Sequence, residues 1–97
     1  MRELDDIRRE IDEIDGRLAR LVRRRLELSG EIAAAKAAKG LPIVDEEREQ
    51  VVLAHVVAET GCGMEKEAAA VFKTLFALSR ERQRAALKVL NEEKAVN

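Results

Sequence analysis

The chain has no tryptophan and no tyrosine, only two phenylalanines, one proline, five glycines and one cysteine. Each shortage excludes something. There is no aromatic platform on which bases could stack, and the 18 basic and 19 acidic side chains are interspersed to a net charge of −1, leaving no basic tract for a phosphate backbone. Nucleic acid is not an expected partner. Cys62 has no second cysteine to pair with, and with His55 the only histidine there is no constellation of metal ligands. Cys62 reads as a bystander in a loop. No apolar run approaches the roughly 20 residues that span a bilayer, and the polar start from Arg2 to Asp6 has no apolar signal region. No membrane association is expected, and the cytoplasm is the expected location. What remains is 38% charged and 46% hydrophobic, a balance that suits long amphipathic helices and not sheets. The expected fold class is all-α.

With 97 residues the chain is one domain, near the small end at which a single core gives comfortable stability. From Leu4 the apolar residues recur at Ile7, Ile11, Ile14, Leu18, Leu21, Leu28, Ile32 and Ala35, a heptad seam interrupted only by Arg25. Gly40 and Pro42 end the pattern, which predicts a first helix over about residues 3–39. At 1.5 Å per residue that rod is about 55 Å long, whereas a compact domain of this size has a radius of gyration near 13 Å. Two chains laid against each other would cover it, so the geometry predicts an intertwined homodimer. Asp45 can cap a second helix over about residues 45–59, with Glu46 and Glu47 in its first turn. The segment from Glu59 to Gly63 stops it. A third helix is expected over about residues 64–90, striped by Ala68, Phe72, Leu75, Ala86 and Leu90, with residues 91–97 as a frayed tail.

Several polar side chains stand where this periodicity calls for apolar ones. Arg25 replaces a seam residue, Lys36 flanks the seam three turns later, Ser79 and Gln83 interrupt the third stripe, and Asp45, Arg48 and Glu49 continue the inward face of helix 2. Burial of an unpartnered arginine is prohibitively costly, so each of these groups needs a counter-charge or a ligand. One reading is structural: Arg25 pairs with a carboxylate of another helix, and Ser79 and Gln83 bond to backbone or to each other. The other is a single enclosed polar cavity biased toward cations. Arg25 and Lys36 are separated by about 16 Å along one face, and both side chains are long, which leaves room between them for a small anion but not a polymer. Arg8, about 25 Å from Arg25, is too far to join them within one helix. Arg2, Arg9, Arg17, Arg20, Arg23 and Arg24 read as solvated partners of nearby carboxylates, and Arg80, Arg82 and Arg84 as facing water.

From about Leu4 to Leu87 the chain resembles the all-helical chorismate mutases. "LDDIRREIDEID" is similar to the family's opening, "RRRLELSGEIAAAK" to the rest of its first helix, "GLPIVDEERE" to its second motif, and "FKTLFALSRERQ" to the helix 3 segment that carries Ser79 and Gln83. No one of these is specific; their order and spacing together are. The link "AETGCGMEKE" is short for the family, and Ala33 stands where some members have glycine. The resemblance implies two interlocked three-helix chains with chorismate as substrate, prephenate as product, and no cofactor. It implies that Arg8 crosses into the partner's site and, with Arg25, clamps the two carboxylates. Lys36 and Gln83 would donate to the ether oxygen, Glu49 with Asp45 nearby would accept from the ring hydroxyl, Arg48 would support the carboxylates and orient Glu49, and Ser79 would contact a carboxylate.

A rival on the same fold is an isochorismate-pyruvate lyase, and a rival of another class is a non-catalytic dimerisation module whose polar seam residues only fix register. Because the amide of Gln83 does not titrate, the mutase reading expects turnover to vary little between about pH 5 and 9. A bell-shaped profile with a limb near neutrality would contradict it.

Overall fold

A computed structural model describes residues 1–96 as three helices, α1 (Leu4–Ala38), α2 (Glu46–Thr60) and α3 (Glu65–Val96), with no strand among the described residues. The all-α expectation holds. α1 carries Asp5 and Asp6 in its first turn and Lys36 in its last, as the helix dipole favours. Its end is built by Gly40, which takes φ +69° so that the Leu41 amide can return to the Lys36 carbonyl at 2.9 Å; Pro42 then rules out continuation. α2 starts where Asp45 accepts a hydrogen bond from the Arg48 amide at 3.0 Å. It stops at Gly61, whose φ of +82° no side-chain-bearing residue adopts cheaply.

α3 differs from expectation at its C-terminal end, continuing through residues 91–96 where a frayed tail was anticipated. The physical reason is that nothing breaks it: after Gly63 there is neither glycine nor proline, and Leu90, Glu92, Glu93, Lys94 and Ala95 all have high helix propensity. Asn97, the last residue of that expected tail, lies outside the described residues.

α3 packs against both α1 and α2. The buried apolar side chains are Ala33 from α1 and Leu75 and Phe76 from α3, and buried with them are two polar ones, Ser29 and Gln83. The packing centre thus sits between the C-terminal half of α1 and the middle of α3. The N-terminal half of α1 projects away from it. Leu4, Ile7, Ile11, Ile14, Leu18, Leu21, Leu28 and Ile32 remain 36% to 66% exposed, so within one chain much of the seam is left uncovered. The chain measures 64 × 27 × 14 Å with a radius of gyration of 17.4 Å, well above the roughly 13 Å of a compact domain this size. No helix among the described residues is long and apolar enough to cross a membrane.

Candidate active site

The helical period puts Arg25, Ser29, Ile32 and Lys36 on one stripe of α1, spaced four, three and four residues apart. That stripe faces Phe76, Ser79 and Gln83 of α3, and the start of α2 closes the third side with Asp45, Arg48, Glu49 and Val52. Between them is a cavity of about 280 Å³, at the small end of the range for ligand pockets. Seven of the eight residues singled out from the sequence line it. The eighth, Arg8, stands exposed on the projecting half of α1 and is not brought to this cavity within the chain.

Four side chains form a hydrogen-bonded relay with a forced direction. Lys36 Nζ has protons and no lone pair to spare, so the Gln83 oxygen must face it; Nζ donates to Gln83 Oε1 at 3.0 Å and to the Ile43 carbonyl at 2.6 Å. Gln83 Nε2 is thereby turned to Ser79 Oγ, 3.2 Å away. Ser29 Oγ donates its one proton to the Arg25 carbonyl at 3.0 Å, so in the 2.6 Å contact between the two serine hydroxyls the donor is Ser79. The consequence for chemistry lies in what is left over. Lys36 keeps one N–H of three and Gln83 one of two, a pair of donors at the cavity that can converge on one acceptor.

Arg25 has a different anchor. Its guanidinium carbon is 5.8 Å from the ring centroids of both Phe72 and Phe76, which meet edge to face at 6.4 Å. The aromatic faces hold the cation without neutralising it. Among the described residues no carboxylate lies within ion-pair distance of Arg25, Lys36 or Arg48. The structural reading in which Arg25 pairs with a carboxylate of another helix therefore finds no such partner among the described residues, and three cations line one small cavity with no ion-pair partner there. The other structural reading finds partial support, since Ser79 and Gln83 do bond to each other.

The expectation that Arg80 faces water is corrected. Its guanidinium binds Glu49 with both prongs, Nε to Oε2 at 2.9 Å and Nη2 to Oε1 at 2.6 Å. The hydrogen bond to Glu49 holds the Arg80 guanidinium above its ordinary value, against partial desolvation, with the charges of Glu49 and Glu46 adding to the effect. It is therefore Arg80, and not Arg48 as expected, whose side chain grips Glu49. The cause is tertiary: the first turn of α2 lies over the flank of α3 that carries residue 80.

Ser29 was also missed, although a signal existed, since it stands four residues after Arg25 on the same stripe. Ser29→Ala is expected to cost about 1 kcal/mol, because it strips the half-buried Ser79 hydroxyl of its acceptor. A lower midpoint of urea unfolding at unchanged slope would show this; an unchanged midpoint would mean the contact is not made in solution. Among the described residues there is no group of three or more His, Cys, Asp or Glu side chains placed to hold a metal ion.

Comparison with known proteins adds two findings. The sequence pattern of the family described as chorismate mutase type II matches residues 7–84, which includes every residue of the candidate site and Arg8. The chain is also similar to a chorismate mutase of Methanocaldococcus jannaschii, with 41% identity over 49 residues, 50% of each protein. The chain thus spans about half the length of the curated relative in that match.

Proposed function

Because the chain belongs to the chorismate mutase type II family, we propose that it rearranges chorismate to prephenate, the step that leads toward phenylalanine and tyrosine. The observation that carries this reading is the trio of unneutralised cations, Arg25, Lys36 and Arg48, around a 280 Å³ cavity walled on its other sides by Leu28, Ile32, Ile43, Val52 and Phe76. Such a cavity suits a small dianion with an apolar ring.

In the reaction the ether C–O bond breaks while the enolpyruvyl methylene carbon bonds to the ring, within one molecule and without loss or gain of any atom. No nucleophile, proton transfer or cofactor is called for. The site has two tasks, holding the flexible ether in a compact chair-like conformer and stabilising the negative charge that grows on its oxygen. Arg25 takes one carboxylate with its planar fork and Arg48 supports the carboxylates, while Ser79 reaches a carboxylate by turning its one proton from Ser29 to the ligand. The spare N–H groups of Lys36 and Gln83 meet the ether oxygen. Glu49, with Asp45 nearby, accepts from the ring hydroxyl. Arg8 of a second copy takes the other carboxylate, in an intertwined homodimer that buries the exposed α1 seam.

The test is to incubate the purified protein with chorismate, follow the loss of its ultraviolet absorbance and identify the product by chromatography. Rapid, saturable formation of prephenate is expected. No reaction from a folded helical dimer would overturn the proposal, and pyruvate released from isochorismate would move it to the lyase.

A further inference from the structure

The mechanism above uses Glu49 and leaves Arg80 without a task. Glu49 lines the cavity, and Arg80 lies outside the cavity wall, yet the two make the only bidentate ion pair among the described residues. A carboxylate oxygen has two lone pairs. The Arg80 fork occupies one on each oxygen, and the others stay available to a ligand.

The pair also solves an electrostatic problem. Glu49 shares the cavity wall with Arg25, Lys36 and Arg48, three cations with no carboxylate partner among the described residues. A loose carboxylate in that company would swing to one of them, occupying a cation meant for the ligand and presenting its own charge to an incoming dianion. We infer that Arg80 is a positioning residue: it holds Glu49 from outside the cavity, so that Glu49 faces the ligand as a fixed hydroxyl acceptor and the three inner cations remain free for the ligand's carboxylates and ether oxygen. The inference rests on the mutase reading. Its alternative is that the pair merely staples α2 onto α3, which also fits side chains 32% and 23% exposed.

The two roles separate in kinetics. The ring hydroxyl does not react, so its acceptor binds ground state and transition state alike, and loss of its positioning raises KM and spares kcat. Arg80→Met keeps most of the side chain's apolar stem and removes the fork. In a variant shown by circular dichroism and sizing to remain a folded oligomer like the wild type, KM for chorismate is expected to rise about tenfold, with kcat within about threefold of wild type. Arg80→Lys, a point charge without a fork, should recover only part of the affinity. The decisive step is a double-mutant cycle with Glu49→Gln, in which Arg80→Met is expected to change KM by less than about twofold once the carboxylate is gone.

A staple predicts an unchanged KM in Arg80→Met with only a lower midpoint of urea unfolding, and the same KM increment with and without Glu49 would mean that Arg80 does not act through Glu49; either result would overturn the inference while leaving the mutase reading intact. A wild type that does not convert chorismate overturns the mutase reading and this inference with it.

Discussion

Lys36→Ala is expected to lower turnover by a factor of about 10² or more, and Arg25→Ala by a similar factor, in proteins that remain folded. The two losses differ in kind. The charge on the ether oxygen exists fully only in the transition state, so removal of Lys36 should depress kcat and kcat/KM together, with KM little changed. The effect exceeds that of one missing donor, because Lys36 also fixes the orientation of Gln83 through a 3.0 Å bond to its amide oxygen. With no ammonium to face, the amide is free to turn that oxygen toward the ether, where it repels the growing charge. In the proposed mechanism Arg25 binds a carboxylate that is charged throughout, so its loss should raise KM as well as lower kcat. Its cage of Phe72 and Phe76 remains behind as an apolar hollow. Steady-state kinetics checks both, with circular dichroism and urea unfolding confirming that the variants fold. Wild-type rates from either variant would remove that residue from the site.

The site residues that showed in the sequence did so because a helix has a period and burial has a cost. Arg25, Lys36, Ser79 and Gln83 stood out as polar groups on stripes otherwise apolar, and the structure places all four at one cavity. Asp45 was legible for another reason, as a capping residue just after a proline break, and its side chain does bond the Arg48 amide. Arg80 was not legible. It gives no break in any stripe, and its partner is 31 residues away on a helix whose placement depends on the loop between Ala38 and Glu46. Ser29 was overlooked because a small hydroxyl bonded back to its own helix costs little to bury, so its presence raised no demand for a partner. The length of α3 was underestimated because the apolar stripe fades after Leu90, whereas helix propensity does not. Patterning locates the face of a helix; propensity decides how far the helix runs.

The seam of α1 leads to the second large effect. Eight aliphatic side chains left about half exposed along one rod, if covered by a second copy, would contribute on the order of 10 kcal/mol to a dimer. Leu18→Asp places one unpaired carboxylate in that seam on each chain, and two-fold symmetry makes the lesion count twice. The assembly is expected to dissociate at least about 10²-fold more readily, seen by analytical ultracentrifugation, and turnover to fall with it because each site would lose the Arg8 supplied by the other copy. A mixing experiment tests the shared site directly. Arg8→Ala and Lys36→Ala homodimers should each be nearly inactive, but when unfolded and refolded together they form heterodimers in which one site carries both lesions and the other carries neither. Recovery of roughly a quarter of wild-type activity is then expected, since about half the dimers are mixed and each has one intact site of two. If Arg8 served its own chain's cavity, each site of the mixed dimer would keep one lesion and no activity would return. If Leu18→Asp left both oligomer and turnover unchanged, the seam would be an exposed face and not an interface.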